Sequence, residues 1–411
     1  MTDTLAPRDA GEVEAAVRWA LGAGKTLEIV GHGSKRAFGR PAQTDATLDL
    51  AALSGVTLYE PTELVLSARA ATPIAEIEAL VEAAGQALAF EPMDLGPLLG
   101  QPPGAGTLGG VVATNLSGPR RLKAGAARDH VLGFTAVSGR GETFKAGGRV
   151  VKNVTGYDLP KLLAGSFGTL AAMTDITIKT LPRPQTEASV LVLGLVPEQA
   201  VAAMAAAMGS PFEVSGAAHL PAAVAAAAGV AALPGGVAVT ALRLEGVAPS
   251  VAHRRESLLS LLAPHGSCAD LDAGASRTLW RSIRDVTPFA ASEGGDAAAS
   301  PVWRVSTAPS RGAALAAAIA SACDARILFD WAGGLVWVAL PPSPDAGAAV
   351  VRGAVARCGG HATLVRAPAA VRAVVDVFEP QPAALAALTR RVKESFDPQG
   401  VLGSGRLWAG V

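Results

Sequence analysis

The sequence is poor in the residue types that several classes of protein need. Only 3 of its 411 residues are cysteine, and Cys268, Cys323 and Cys358 lie far apart, which argues against a disulfide framework or an iron–sulfur ligand set. Aromatic residues make up 4% of the chain, too few for platforms that stack nucleic-acid bases. Its 35 basic and 35 acidic residues balance, so no strong field attracts nucleic acid or an anionic membrane.

Targeting segments and long apolar runs are also missing. The N-terminus shows no basic stretch followed by an apolar core, so no signal peptide is predicted. Residues 222–239 form the longest apolar candidate, but Pro234 and a Gly-Gly pair interrupt it, so no membrane-spanning helix is predicted. Reduced thiols fit a cytoplasmic location. At 411 residues the chain is long enough for two domains with sizeable cores.

Glycine, by contrast, is abundant, with 46 residues, and it clusters with Asn, Thr and Ser in residues 104–184. Glycine lets backbone N–H groups approach phosphate oxygens without a side chain in the way. Upstream, a predicted strand over 26–30 leads into the turn GHGSK at 31–35, whose consecutive N–H groups can form an anion-binding nest. The turn alone is a weak signal. Together with the later glycine cluster it predicts a site for a long cofactor that carries phosphates.

A second glycine turn, GTLGG at 106–110, is predicted to open a short helix. Free N–H groups at a helix N-terminus, together with the helix dipole, suit a phosphate or an electron-rich ring edge. Gly109 and Gly110 would let the backbone lie close to such a group. The alternative is a close helix–helix contact, which is the weaker interpretation because glycine inside a helix is costly.

Eight motifs carry a resemblance to a known family. In chain order they are GHGSK at 31–35, GTLGG at 106–110, ATNLSGPRR at 113–121, RDHVLG at 128–133, VVKNVTGYDL at 150–159, LWRSIRD at 279–285, WRVS at 303–306 and FDPQGVLGSGR at 396–406. The chain resembles FAD-binding proteins of the vanillyl-alcohol oxidase/p-cresol methylhydroxylase type. Within that superfamily it is similar to the FAD-binding E subunits of bacterial glycolate oxidases.

The resemblance implies an α+β fold in three parts. These are a two-subdomain FAD-binding domain over residues 1–183, a cap domain over 184–366 that contains an antiparallel sheet with helices on one face, and a segment over 367–411 that returns to the FAD domain. The change to strand-like runs and Ala-rich helices after residue 184 agrees with the first boundary. Residues 291–300 are predicted to form an exposed loop.

The implied cofactor is FAD. Ser34 stands where members with covalent flavin often carry a histidine, which implies non-covalent binding. No metal site is predicted, because the six histidines include no closely spaced pair of the kind found in related dehydrogenases of D-2-hydroxy acids. The residues predicted to bind FAD are Gly31, His32, Gly33, Ser34, Lys35, Gly106, Thr107, Gly109, Gly110, Thr114, Asn115, Ser117, Gly118, Asn153, Gly156, Gly168 and Met173.

The catalytic residues are not identified by the sequence. Arg304 is the candidate for holding a substrate carboxylate, because a guanidinium fork matches a carboxylate; a solvated arginine on a sheet edge is the alternative. The implied activity is oxidation of glycolate to glyoxylate, with hydride passing to the flavin and electrons onward to an iron–sulfur F subunit. A homologous FAD-containing D subunit is the other implied partner. Because the histidine pair is absent here, we hypothesise that the D subunit performs most of the chemistry.

Two alternatives to this function stay open. The chain is a self-sufficient FAD-dependent dehydrogenase of another 2-hydroxy acid or an alcohol, or it is a non-catalytic scaffold subunit. The expected location is the cytoplasm, with peripheral attachment to the inner membrane through the complex as a variant. No nucleic-acid partner and no direct membrane span are expected.

Overall fold

The computed structural model describes residues 3–41, 43–149, 156–290 and 300–411. The strands within these ranges are β1 (Asp3–Leu5), β2 (Leu27–Val30), β3 (Ala46–Asp49), β4 (Val56–Glu60), β5 (Val65–Arg69), β6 (Gln86–Ala87), β7 (Val131–Ser138), β8 (Thr143–Gly147), β9 (Ala171–Lys179), β10 (Leu181–Pro182), β11 (Thr186–Leu193), β12 (Gly216–Leu220), β13 (Val239–Gly246), β14 (Cys268–Leu271), β15 (Val302–Ser306), β16 (Arg326–Asp330), β17 (Leu335–Ala339) and β18 (His361–Arg366).

The helices alternate with these strands along the chain. They are α1 (Ala10–Ala23), α2 (Ile74–Ala83), α3 (Leu108–Thr114), α4 (Arg121–Ala124), α5 (Ala127–His130), α6 (Leu159–Leu163), α7 (Pro197–Met208), α8 (Ala222–Ala226), α9 (Ala248–Leu262), α10 (Ala273–Arg284), α11 (Gly312–Ala320), α12 (Ala348–Cys358), α13 (Ala369–Val374) and α14 (Ala383–Phe396). None of the described helices is long and apolar enough to cross a bilayer.

The N-terminal unit is a parallel three-stranded sheet in the order β1-β3-β2, covered by α1. Asp9 caps α1 by accepting a hydrogen bond from the amide of Glu12, and Gly24 ends it in the left-handed region. Val13 and Val17, four residues apart, lie on one helical face and are fully buried against the sheet. The sheet therefore holds β2 rigidly, and the loop that follows it starts from a fixed point.

A second sheet in this half is antiparallel, with five strands in the order β4-β5-β9-β7-β8. Helices α2 and α3 pack on it through Ile77, Val81, Leu108 and Val111, all of them buried. The two sheets flank the turn at the start of α3, which places both predicted glycine turns between them.

The second half contains one antiparallel sheet of eight strands in the order β14-β11-β13-β12-β16-β17-β15-β18. The long helices α7, α9, α11 and α12 cover one face of it. On the other face, α8 and α10 pack together with residues of the first half such as Met93 and Leu95. We call this sheet the cap sheet. The α+β fold class with a large antiparallel cap sheet is confirmed.

The end of the chain packs against its beginning. The amide of Leu27 donates to the carbonyl of Val401 at 2.7 Å, and the amide of Gly403 donates to the carbonyl of Leu27 at 2.9 Å. Lys393, buried with Asp397, donates to the carbonyl of Thr169 at 2.6 Å. The boundaries at 183/184 and 366/367 stay a prediction, and residues 291–299 of the predicted loop lie outside the described residues.

Candidate functional site

The loop after β2 presents a row of backbone donors. The amides of residues 31–35 find no backbone acceptor among the residues that the structure describes. Gly33 has φ 75°, in the left-handed region that glycine adopts without strain, and it turns the loop. The loop is held from behind by Arg406, which donates to the carbonyls of Lys35, Arg36 and Phe38. Consecutive free amides of this kind favour an anion.

Lys35 is the last residue of this loop, and its side chain reaches the second glycine turn. A Cβ built on Gly106 would lie 3.5 Å from its Nζ, and one built on Gly110 would lie 3.7 Å from it. In the described ranges, this ammonium makes no ion pair within 4.0 Å. Burial lowers the pKa of Lys35 to about 8, and the charge of Asp94 offsets only part of that effect. The site therefore holds a partly dehydrated cation that an anion would stabilise.

Two connected cavities surround Lys35 and the loop. The first, of about 700 Å³ including its open mouth, is polar, and Phe167, Gly168, Gly403 and Arg406 complete its wall. The second, of about 430 Å³, is lined mainly by apolar residues, namely Ile29, Leu50, Ala70, Ala71, Ala113, Ala171 and Met173. Gly31, Thr107 and Gly110 line both cavities, so the two form one elongated groove, which we call the loop cleft. A diphosphate flanked by a flat ring fits this sequence of surfaces.

Most of the predicted FAD-binding residues lie in the loop cleft. The polar cavity is lined by Gly31, His32, Gly33, Ser34, Lys35, Thr107, Gly110, Thr114 and Gly168, and the apolar one also by Gly109 and Met173. Gly106 borders Lys35 from the other side. Gly156 is exposed, and Asn153 lies outside the described residues. The cofactor contacts of all these residues stay a prediction.

The prediction that α3 begins with free amides is wrong. The amide of Leu108 donates to the carbonyl of Thr72 at 3.0 Å, and that of Gly109 donates to the carbonyl of Ala70 at 2.7 Å. The amide of Gly110 donates to Oγ1 of Thr107 at 3.2 Å. A Cβ on Gly109 would lie 2.8 Å from the carbonyl of Ala70, so this glycine permits close packing rather than leaving an open donor.

Asn115, Ser117 and Gly118 line neither cavity of the loop cleft. Oδ1 of Asn115 accepts from the amide of Arg128 at 3.0 Å, and Oγ of Ser117 accepts from the amide of Ala127 at 2.8 Å. The carbonyl of Gly118 accepts from Nε1 of Trp331 at 3.2 Å. These contacts give the polar turn a structural role, and its predicted FAD contacts remain untested.

Arg304 lies in the interior of the cap sheet. Strand β15 pairs with β17 on one side and β18 on the other, so the alternative of a solvated arginine on a sheet edge is wrong. Its guanidinium lies 5.0 Å from the centre of the Trp331 ring, and that of Arg121 lies 4.6 Å from the same centre. Burial, followed by the charge of Arg121, lowers the pKa of Arg304 to about 10. We call Arg121, Arg304, Asp330 and Trp331 the cap cluster.

Sequence reasoning missed several residues of these two sites. Arg121 and Arg406 fall inside motifs that were recognised, ATNLSGPRR and FDPQGVLGSGR, but neither motif indicates what its arginine contacts. Asp330 and Trp331 belong to no motif. Their position follows from strand pairing over long sequence distances, which a single sequence does not show.

Comparisons with known proteins agree with this geometry. A family model described as an FAD binding domain matches residues 4–147. The glycolate oxidase subunit GlcE of Escherichia coli K12 is 34% identical over 384 residues, which cover 93% of this chain and 93% of that protein. The glycolate oxidase subunit GlcD of Bacillus subtilis 168 is 41% identical over 87 residues, which cover 21% of this chain and 18% of that protein.

Among solved structures, p-cresol methylhydroxylase with bound substrate superimposes with a TM-score of 0.70 at 13% identity, over 98% of this chain and 88% of that one. At that identity the likeness shows the fold alone. The sequence relatives and the FAD binding domain model confirm the resemblance and the cofactor. The chain belongs to the family of the glycolate oxidase subunit GlcE, and it is an FAD-dependent oxidoreductase.

Proposed function

We propose that this chain is the FAD-binding subunit of a complex that oxidises glycolate to glyoxylate and sends the electrons onward to an iron–sulfur subunit. The observation that supports this most directly is a loop of free amides that ends in Lys35, whose ammonium lies beside Gly106 and Gly110 without an ion-pair partner in the described chain. Relatedness to GlcE along nearly the whole chain supports the choice of glycolate over other hydroxy acids.

The loop cleft offers each part of FAD a complementary surface. The loop amides of residues 31–35 and the ammonium of Lys35 would hold the two phosphates. The apolar cavity around Leu50 and Met173 would take a ring end of the molecule. Ser34 cannot form a histidyl link, so FAD binds non-covalently. When bound, FAD supplies the acceptor for the hydride that leaves the substrate.

The proposed partners are a homologous FAD-containing D subunit and an iron–sulfur F subunit. Two similar proteins, GlcE and GlcD, are each named as subunits of glycolate oxidase, which supports a complex of related flavoproteins. In this proposal the electrons leave this chain for the iron–sulfur centre of the F subunit.

The cofactor site is tested by titrating FAD into the full chain and two glycine variants. Gly110 lines both cavities, so Gly110→Val should fill the cleft and weaken FAD binding by about a hundredfold or more. Gly22 lies in α1 with open space around its Cβ position, so Gly22→Val is the matched control, with the same change in a helix. Wild-type affinity in Gly110→Val would refute the placement of FAD in the loop cleft.

The activity is tested on the complex as it exists in the host. We expect a tagged chain to co-purify with a second flavoprotein and an iron–sulfur protein, and glycolate to bleach the flavin absorbance of this preparation. An FAD-loaded chain that purifies alone would contradict the subunit assignment. Bleaching by an alcohol but not by glycolate would contradict the substrate.

A further inference from the structure

One face of the cap sheet carries polar residues toward the first half of the molecule. Asp330 on β16 lies opposite Leu335 on β17, which in turn lies opposite Ser306 on β15. Arg304, two residues before Ser306 on β15, lies opposite Trp337 on β17. Residues two apart on a strand share a face, so Arg304 and Asp330 point to the same side. That side also carries Leu328 and Trp337, which pack into the core shared with the first half. The two polar groups therefore face inward.

The cap cluster contains two cations without a counter-ion. No carboxylate lies within 4.0 Å of the Arg121 or Arg304 guanidinium among residues the structure describes. Nε of Arg304 is buried and has no hydrogen-bond partner there. Both guanidiniums lie over the ring of Trp331, and like charges held so close repel each other unless an anion lies between them. An anion bound by both guanidiniums would relieve this repulsion.

The backbone at the cluster is strained. Trp331 has φ 51° and Ala332 has φ 56°, so two successive residues with side chains adopt the left-handed conformation. Such residues cost about 1–3 kcal/mol each and persist where the surroundings enforce them, most often at functional sites. Here the indole N–H of Trp331 is held by the carbonyl of Gly118, within the glycine-rich segment next to Arg121. The backbone conformation and this hydrogen bond hold the indole ring that both arginines contact.

Asp330 supplies a single buried acceptor beside these cations. It is 3% exposed, and its Oδ1 accepts from the amide of Trp331 at 2.7 Å. Burial raises the pKa of Asp330 to about 7, and Arg304, which lies beyond the 4.0 Å of an ion pair, offsets only part of that rise. Glu91 and Arg243 are the other charges around it. Arg304 and Asp330 share one face of the sheet and lie beyond ion-pair distance of each other, which suits a ligand that carries an anion and a hydroxyl donor on neighbouring atoms.

We propose that Arg121, Arg304 and Asp330 form a binding site for a small hydroxy carboxylate on this chain. The two guanidiniums hold the carboxylate, and Asp330 accepts a hydrogen bond from the hydroxyl group. The proposal rests on the proposed function for the class of substrate, and it goes further by assigning substrate recognition to this subunit. It thereby departs from the hypothesis that the D-type partner carries most of the chemistry.

The test is calorimetric titration of the full, FAD-loaded chain with three small molecules. Glycolate has both groups, acetate lacks the hydroxyl, and glycolamide lacks the charge. We expect glycolate to bind, acetate to bind about tenfold more weakly, and glycolamide not to bind measurably, since a hydrogen bond to a charged group is worth about 1.5–3 kcal/mol. Equal binding of glycolate and glycolamide, or no binding of glycolate, would overturn the proposal.

Single substitutions test the contribution of each residue of the cap cluster to glycolate binding. Arg121→Met and Arg304→Met should each weaken glycolate binding about tenfold or more, and Arg304→Lys should weaken it less because the charge is kept. Arg390→Met is the matched control, since this arginine is exposed on α14 and should leave binding unchanged. Asp330→Asn should reduce the preference for glycolate over acetate. A preference unchanged in Asp330→Asn would remove Asp330 from the site.

The test of the cap cluster and the test of the proposed function can fail independently of each other. Flavin absorbance of each variant reports the loop cleft, and the calorimetric signal reports the cap cluster. Retained flavin with lost glycolate binding in Arg121→Met would support both proposals. Retained flavin with unchanged glycolate binding in Arg121→Met and Arg304→Lys would refute the inference and leave the cofactor site standing. Loss of flavin in the wild type would refute the proposed function instead.

Discussion

The loop cleft and the cap cluster are both proposed to bind an anion, but they are built in different ways. In the loop cleft the donors are mainly backbone amides of one short loop, and Lys35 adds a charge. In the cap cluster the donors are the side chains of Arg121 on α4 and Arg304 on β15, far apart in the sequence, and Asp330 on β16 adds an acceptor. A backbone site depends on local turns, whereas a side-chain site depends on how the two halves of the molecule dock.

That difference has a consequence for stability. In the loop cleft the desolvation cost without an anion falls mainly on one charge, the Lys35 ammonium, whose pKa burial lowers to about 8. In the cap cluster Arg304 and Asp330 have buried polar atoms, whose desolvation is unfavourable until a ligand compensates it. The cap cluster should therefore respond to substitution with gains as well as losses of stability, and the loop cleft mainly with changes of affinity.

The largest effect is expected where the two halves are joined. Glu91, in the first half, accepts from both Nη atoms of Arg243 on β13, and Arg120 bonds Glu245 on the same strand. Arg243 is 1% exposed, so Glu91→Gln leaves a buried cation poorly compensated and should destabilise the protein by about 3–5 kcal/mol. The measurement is urea unfolding at pH 7. The exposed Arg255–Asp270 pair provides the control, Asp270→Asn, with a change below about 1 kcal/mol.

The pH dependence of this effect has a definite sign. Burial opposes ionisation of Glu91, but Arg243 and Arg120 outweigh it and lower its pKa to about 2. A depressed pKa contributes stability above the unfolded value and loses it as the pH falls through the folded one. The difference between wild type and Glu91→Gln should therefore be constant above about pH 5 and shrink between pH 4.5 and 2. A difference independent of pH would contradict the ion pair.

The next substitution, Asp330→Asn, is expected to stabilise the protein. Burial raises the pKa of Asp330 to about 7, from an unfolded value of 3.8. A raised pKa in the folded state means that stability falls as the pH rises from about 4 to about 7, by as much as about 4 kcal/mol at roughly 1.36 kcal/mol per pKa unit. Asp330→Asn removes that loss, so its melting temperature should exceed that of the wild type at pH 8 and approach it at pH 4. A lower melting temperature at pH 8 would show that Asp330 is a structural residue.

A smaller effect is expected on FAD affinity in the loop cleft. Lys35→Met should weaken FAD binding by about 1.5–3 kcal/mol, the value of a hydrogen bond to a charged group. It should not lower the stability of the protein without FAD, because burial disfavours the charge of Lys35 and lowers its pKa. Because burial holds the pKa of the free Lys35 at about 8, wild-type affinity should be constant below that pH and fall above it, while Lys35→Met shows no such fall. The measurement is FAD titration from pH 6 to 10, and parallel pH profiles would contradict the assignment.

The contrast between the sites also explains what the sequence could predict. GHGSK after a strand predicted a donor loop, and the amides of that loop have no backbone acceptor among the described residues, because turn chemistry is local. The same local reasoning failed for α3, whose amides are taken by carbonyls of Ala70 and Thr72 on another segment. It could not find Asp330 or Trp331, since their place depends on the register of the cap sheet.

The smallest effect separates a polar residue of the glycine-rich turn from the cofactor. Ser117 is predicted from sequence to bind FAD, yet it is 2% exposed and its hydroxyl accepts from the amide of Ala127. Ser117→Ala leaves that buried amide without an acceptor, which should cost about 1–2 kcal/mol of unfolding free energy and leave FAD affinity unchanged. Urea unfolding and FAD titration of the same preparation measure both quantities. A weaker FAD affinity with unchanged stability would return Ser117 to the cofactor site and would extend the loop cleft toward Gly118, the residue whose carbonyl holds Trp331.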